Sequence, residues 1–497
     1  MKIDAYLTQH ARKSPSRIAL EEGNHYISYK NLEDSVNDIA SSMKEFRHCR
    51  FAILEELGIK YVKMLMAVYR SDNIAIPMPI EMPVFSLEKI IDSAKVTNII
   101  TTDTLYSKYG EGFFKRFRTI IVVSDDKPVR FVRKEISVET NHPELRLVLY
   151  TSGTTGTPKG VMLSDKNLTT NAAAIVEILG LSADDKAALV ISPHHAFGNS
   201  IINSHLMAGS CISMGSMKFI GSTFKLIESG VTVFYGVPST YRILLRYPDR
   251  FKNAFSNVKI AASAGGGMTR QIVRSIKELA PNIEILPMYG QTEATARLAY
   301  VPKEDVDDYI ETIGKPIPGV ILDVFDKDGK SVGPNITGEL VAKGDNILLG
   351  YLDDEIATKR KIRDGWMYTG DLAQKLPNGY FKLMGRKDDL IKIGDHLVNP
   401  REIEKTIENN NKVSAVFVVP VSHELMGTAI SLMVVPEPET DIDTLFKFCR
   451  KNLPAHLYPQ EILLIDHLPL TENGKISNRL IIEEYQNVKN SMQKMCS

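Results

Sequence analysis

Between Tyr150 and Gly160 the chain reads YTSGTTGTPKG, three glycines, four threonines and a serine interrupted near the end by Lys159. Backbone amides unshielded by Cβ atoms, together with hydroxyls, can approach phosphate oxygens closely, and an adjacent ammonium neutralises their charge. Thr151, Ser152, Gly153, Thr154, Thr155, Gly156 and Lys159 are therefore candidate ligands for a polyphosphate. A plain polar turn would need neither this density of hydroxyls nor the lysine. The run is not a Walker A loop, which sets a Ser or Thr after its lysine at the start of a helix. Here Pro158 precedes Lys159, Gly160 follows it, and the next residues, VMLS, predict a strand.

The run is similar, almost letter for letter, to the phosphate loop of the adenylate-forming superfamily. That superfamily holds acyl-CoA synthetases, the adenylation domains of non-ribosomal peptide synthetases and firefly-type luciferases. The resemblance extends over nearly the whole chain through further runs in the family's order. Met288 to Ala294, MYGQTEA, resembles the YGxTE motif. By that resemblance Tyr289, Gly290 and Gln291 border the nucleotide, Tyr289 offering a face to adenine, while Thr292 bonds a phosphate. Glu293 would hold the Mg²⁺ that bridges phosphates, a task suited to a carboxylate. Gly265, Gly266 and Gly267, after Ala264, resemble the glycine-rich segment that lies along the base. Asp371 in Tyr368-Thr369-Gly370-Asp371 would accept both ribose hydroxyls, with Arg386 of Gly385-Arg386 nearby. His195 in HHAFG (194–198) falls at the mouth of the acyl site, beside the reacting carboxylate, and His194 reads as structural. Lys475 of Asn473-Gly474-Lys475 matches the catalytic lysine on a tight turn. The resemblance thus implies His195, Thr292, Glu293 and Lys475 as the catalytic groups.

The departures from the family pattern carry information of their own. Relatives that activate amino acids place an Asp near the position of Phe197-Gly198-Asn199-Ser200, where this chain has no acid. A buried ammonium without a counter-charge is costly, so an α-amino acid is disfavoured as substrate. In GRKDDLIKIGDHLVNPREIE (385–404), Asp388 falls on the hinge position, but Gly394-Asp395 displaces the usual glycine. That leaves CoA and a carrier-protein phosphopantetheine both open as the thiol acceptor. Met288, at the pocket floor by resemblance, points to a small or medium acid. A metal site built from His194, His195 and His205 lacks an acidic or Cys ligand.

These groups need a scaffold, and the apolar pattern outlines it. Leu32, Val36, Ile39, Ala40 and Met43 share one helical face. The runs FAILEE, NIAIPMP, AALVISP, CISMGS, VTVFYGVP, VKIAASAG and IEILPMYG alternate with helix-like segments. Strands apolar on both faces, separated by helices, predict parallel sheets covered on both sides. We expect a large α/β, multi-sheet domain over residues 1–385. Residues 386–497 read as a small, mobile α+β lid, with a helix opening at Asn399-Pro400, strands VSAVFVVPV and TAISLMVVP, a helix DIDTLFKFCRKNL and a strand EILLIDHLP.

Composition excludes several other classes. With Lys+Arg and Asp+Glu both at 60, no net field would draw the chain onto nucleic acid or an anionic membrane. No run approaches the roughly 18 apolar residues of a membrane helix. Cys49, Cys211, Cys449 and Cys496 are scattered, arguing against a disulfide framework or zinc site. The first residues lack the apolar core of a secretory signal, so a cytoplasmic protein is expected. The sequence reading is an ATP- and Mg²⁺-dependent ligase that converts a carboxylic acid to an acyl-adenylate and then to a thioester of CoA. The alternatives are an enzyme loading a carrier protein, a catalytically silent binding relative, and a luciferase-type oxygenase.

Overall fold

The structure is a computed structural model that describes residues 1–124, 127–132, 142–151, 158–393, 396–408, 410, 412–423, 427–438, 440–467, 469 and 478–496. The chain divides into two compact units, residues 1–322 with 342–368, and residues 323–341 with 369–497.

The first unit is built on two large mixed sheets. One runs 350–351, 159–164, 145–151, 74–77, 50–54, 98–102, 119–124 and 127–132 across its width, with the five strands from 145–151 to 119–124 parallel in sequence. The other carries the parallel strands 284–289, 260–263, 233–236, 186–189, 211–214 and 18–22, in that spatial order. All seven apolar runs marked in the sequence fall on strands of these two sheets. Helices cover them: Leu87, Ile90, Phe113 and Phe114 pack on Ile76, Ile99 and Ile120 of the first. Phe224, Leu244, Ile272 and Ile276 pack on Phe234, Ala261 and Ile285 of the second.

The amphipathic segment after Ser28 is the helix Tyr29–Ser41, and the Ser28 hydroxyl accepts from the Asn31 amide at 3.2 Å to cap it. Leu32, Val36 and Ile39 are fully buried. Each such side chain contributes about 1.5–3 kcal/mol on burial, which outweighs any local helix propensity.

Thr337–Gly344, Trp366–Lys375 and Phe381–Arg386 are neighbouring strands of a further sheet. Residues 369–385 group with 323–341 and the C-terminal residues in the second unit, whereas the sequence pattern places residues 1–385 together. Further on, Val413–His423, Gly427–Pro436 and Ile462–Leu464 form a three-stranded sheet. Its period of two is plain. Val416 and Val418 face Ile403, Ile407, Leu445 and Cys449 of two helices, while Ala415, Phe417 and Val419 face Ile481 and Tyr485 of a third. The first of those helices, Pro400–Glu408, opens where Asn399 Oδ1 accepts from the Arg401 amide at 3.0 Å. The third, Asn478–Cys496, has no counterpart among the sequence expectations.

Candidate active site

Thr151 and Lys159, at the two ends of the candidate phosphate loop, lie on paired strands. Strands Leu145–Thr151 and Lys159–Ser164 are antiparallel, with Thr151 opposite Lys159. A strand after the lysine, as VMLS predicts, removes the helix that a Walker A loop requires. Ser152, Gly153, Thr154, Thr155 and Gly156 lie outside the described residues; Thr151 and Lys159 hold the two feet of the loop.

The second element is the turn that follows strand Glu284–Tyr289. Gly290 is a steric necessity: a Cβ there would stand 1.7 Å from the Ala296 carbonyl oxygen. The turn is then pinned from outside. Asn346 Nδ2 donates to the carbonyls of Ala294 at 3.2 Å and Arg297 at 2.9 Å, and Asn171 Nδ2 donates to Arg297 O at 3.0 Å. Thr295, held at φ 66°, donates its hydroxyl to Asn346 O at 2.7 Å. A left-handed threonine is strained, and here the buried polar network maintains it. The Leu348 amide bonds the Glu293 carbonyl at 2.9 Å. Thr292, Glu293 and Ala294 therefore form a single fixed 3₁₀ turn.

Fixing that turn brings Glu293 to the hairpin of strands 145–151 and 159–164 through a residue that sequence reasoning missed. Tyr351 pairs with Val161 on the strand that begins at Lys159, and its hydroxyl donates to Glu293 Oε1 at 2.8 Å. Lys159 Nζ stands 5.3 Å from the centre of the Tyr351 ring, within cation–π range. A cation and a carboxylate 134 positions apart thus share one aromatic support. No local signal marks Gly350-Tyr351 beyond a short apolar run. Beside it, Lys361 Nζ donates to Gln291 Oε1 at 3.0 Å. Tyr351→Phe keeps the ring and removes the donor to a carboxylate, a bond worth about 1.5–3 kcal/mol. The expected result is roughly a 10–100-fold loss of adenylation rate with higher Mg²⁺ demand, read by metal titration; a wild-type titration curve would remove Tyr351 from the site.

Gly265, Gly266 and Gly267 connect strand Ile260–Ser263 to helix Arg270–Leu279, at the carboxyl edge of the parallel sheet. In open α/β sheets that edge is where ligands bind. Gly265 has φ +84°, and a Cβ on Gly267 would meet nothing within 4 Å.

The histidine stretch begins helix Ala196–Ala208, with His195 as its N-cap residue. The His194 ring lies 4.0 Å from that of His195, and its Nδ1 pairs with Ser192 Oγ at 2.7 Å. Burial pushes His194 down to about 4, so it is neutral at physiological pH. His205 is wholly enclosed, its nitrogens engaged by Ser210 Oγ at 2.6 Å and Tyr235 Oη at 2.9 Å. Those partners turn it away from a metal shared with His194 and His195.

In the second unit Asp371 and Arg386 are register partners across a hairpin, with Arg386 Nε 3.1 Å from Asp371 Oδ1. Their spacing in sequence is thus a direct contact in space. Glu339 supports both strands of this corner, accepting from the Gly370 amide at 3.2 Å and pairing with Lys387 at 2.9 Å. Asp388 lies in the 3₁₀ turn Lys387–Asp389, between that hairpin and the strand beginning at Ile391. Gly394, Asp395, Asn473, Gly474 and Lys475 lie outside the described residues.

The comparisons with known proteins agree with this architecture. The model of the AMP-binding enzyme family matches residues 7–352, and that of the AMP-binding enzyme C-terminal domain matches residues 402–475. The chain belongs to the AMP-binding enzyme family, within the adenylate-forming superfamily. It is 26% identical over 498 aligned residues to a probable CoA ligase of Humulus lupulus, covering 96% of this chain and 94% of that one. It is 29% identical over 426 residues to a long-chain-fatty-acid–CoA ligase of Salmonella typhimurium, covering 80% and 75%. Its fold is that of ATP-bound MatB from Rhodopseudomonas palustris, with TM-score 0.87, 24% identity and 98% and 100% of the two chains covered. Among the described residues no helix is long and apolar enough to cross a membrane.

Proposed function

We propose that the protein is an AMP-forming acid–thiol ligase, and that the residues above are its adenylation site. The observation that carries this reading is the convergence of Lys159 and Glu293 on Tyr351, in a chain of the AMP-binding family. A carboxylate is a poor electrophile because its charge is spread over two oxygens. In the proposed reaction one of those oxygens attacks the α-phosphorus of ATP, pyrophosphate leaves, and a mixed anhydride with AMP remains. A thiol then attacks the acyl carbon and AMP departs.

This chain's residues position and neutralise rather than react covalently. Thr151, Lys159 and the loop between them hold the β- and γ-phosphates; Thr292 bonds a phosphate oxygen. Glu293, steadied by Tyr351, provides a carboxylate of the kind that takes Mg²⁺ together with phosphate oxygens, and the ion when bound neutralises charge on the leaving pyrophosphate. The glycine segment 265–267 and Tyr289 border the base, and Asp371 with Arg386 holds the ribose. His195 borders the acid, and Lys475 bridges carboxylate and α-phosphate. Residues 386–497 act as the lid that turns about Asp388 between the two steps. CoA is the proposed acceptor, the displaced Gly394-Asp395 leaving a carrier-protein phosphopantetheine as the second reading. Three cysteines described as free thiols support a cytoplasmic setting.

The test is pyrophosphate release over a panel of carboxylic acids, with and without CoA. Release that depends on a non-amino acid, and CoA-dependent AMP formation, are the expected results. Exchange supported only by α-amino acids would overturn the substrate reading, and none with any acid would overturn the ligase reading.

A further inference from the structure

The polar turn that presents Glu293 also buries a cation that the proposed reaction does not use. Arg297 is 2% exposed. Its guanidinium stacks on the Phe197 ring at 4.2 Å, and its Nε faces Met288 Sδ at 3.3 Å. Its Nη2 is buried and has no hydrogen-bond partner among the described residues. Among them no carboxylate forms an ion pair with it either; the titratable side chain that reaches it is Tyr235. Tyr235 is a neutral phenol, its hydroxyl engaged by His205 at 2.9 Å. Burial pushes Arg297 down only to about 10, so it stays charged at neutral pH.

Such an arrangement is unfavourable by itself. A buried charge normally has a counter-charge, and a thioether and an aromatic face replace one poorly. The surroundings lie at the edge of a parallel sheet where α/β folds bind ligands. Tyr235 and Met288 stand near the carboxyl ends of parallel strands flanking Ile260–Ser263, with Gly236 opposite Ser263 and Ser263 opposite Pro287. Ser263 Oγ, also buried there, has no partner among the described residues. Phe197, Tyr235 and Met288 supply apolar walls, and Arg297 supplies one fork of charged donors fitted to a carboxylate.

We propose that Arg297 is a specificity residue that pairs with a second anionic group on the acid, so that the preferred substrates are short dicarboxylic acids. The inference rests on the ligase reading above. The reacting carboxylate is the poorer candidate for this partner, because in the proposed reaction Lys475 already supplies its cation. A cation here also repels an α-ammonium, in keeping with the absence of an acid at residues 197–200.

The experiment compares mono- and dicarboxylic acids of equal chain length, three to six carbons, by pyrophosphate release and by ATP-dependent thermal stabilisation. For the wild type, kcat/KM is expected to be at least about 10²-fold higher with the diacid, because a site built around a buried charge rejects the analogue that leaves it unpaired. Arg297→Met is expected to shift the diacid-to-monoacid ratio by a similar factor, mainly through KM, and Arg297→Lys to restore part of it. Wild-type preference for monoacids overturns the proposal and leaves the ligase reading intact. So does an equal loss for both acid classes in a normally melting Arg297→Met. No turnover or stabilisation with any acid overturns both. Because the wild-type comparison decides by itself, a poorly folded variant does not shelter the idea.

Discussion

Lys475→Ala is expected to lose acyl-adenylate formation while keeping the transfer of a preformed acyl-adenylate to its thiol acceptor. The resemblance places Lys475 between the carboxylate and the α-phosphate, where charge moves as the P–O bond forms. A preorganised charged donor at such a place contributes about 10²–10³ in rate, so the defect should stand well clear of assay error. Asn473-Gly474-Lys475 reads in the sequence as an exposed turn, and substitution of such a side chain typically changes stability by about 0.5 kcal/mol or less. Both half-reactions and the melting temperature are to be measured on one preparation. Normal adenylation by a folded variant would remove Lys475 from the mechanism, and loss of both half-reactions would reject a lid that exchanges roles between them.

Gly290→Ala is expected to be nearly as damaging, for a steric reason. The added methyl would lie 1.7 Å from Ala296 O and 2.8 Å from Arg297 Cα. Neither atom can yield cheaply. Arg297 O accepts from Asn171 and Asn346, and the Leu298 amide is bonded to Tyr289 O at 2.8 Å. Relief must come from moving the turn itself, at about 1–3 kcal/mol or more of overpacking strain. Glu293 is three residues along that turn, and a misplacement near 1 Å can lower the rate by about 10²-fold. Adenylation should therefore fall by at least that factor, with a lower melting temperature for the unit containing the turn. Wild-type exchange kinetics in this variant would show that the turn is not part of the site.

The chemistry of the candidate site was largely legible in the residues because it is local. Hydroxyls, glycines and Lys159 within eleven positions suggest a phosphate loop from residue type alone. The α/β architecture was legible for a similar reason: apolar runs of strand length and a period-3.6 helix pattern are short-range signals. Asp371 and Arg386 were also accessible, since a hairpin turns a spacing of fifteen residues into a register pair.

What only tertiary structure decided are the partnerships made across long separations. Tyr351 reaches Glu293 because its strand pairs with the one starting at Lys159, a ladder that no window of sequence contains. Asn346 and Asn171 read as ordinary polar residues until the fold buries them against the carbonyls of the 294–297 turn. Nothing in QTEATARLAY marks Arg297 as buried, because charge is visible in sequence and burial is not. The placement of residues 369–386 with strand 337–344 was hidden likewise, since strand pairing is chosen by the whole sheet. Residue type and near spacing determined what chemistry was available; long-range packing determined which groups meet.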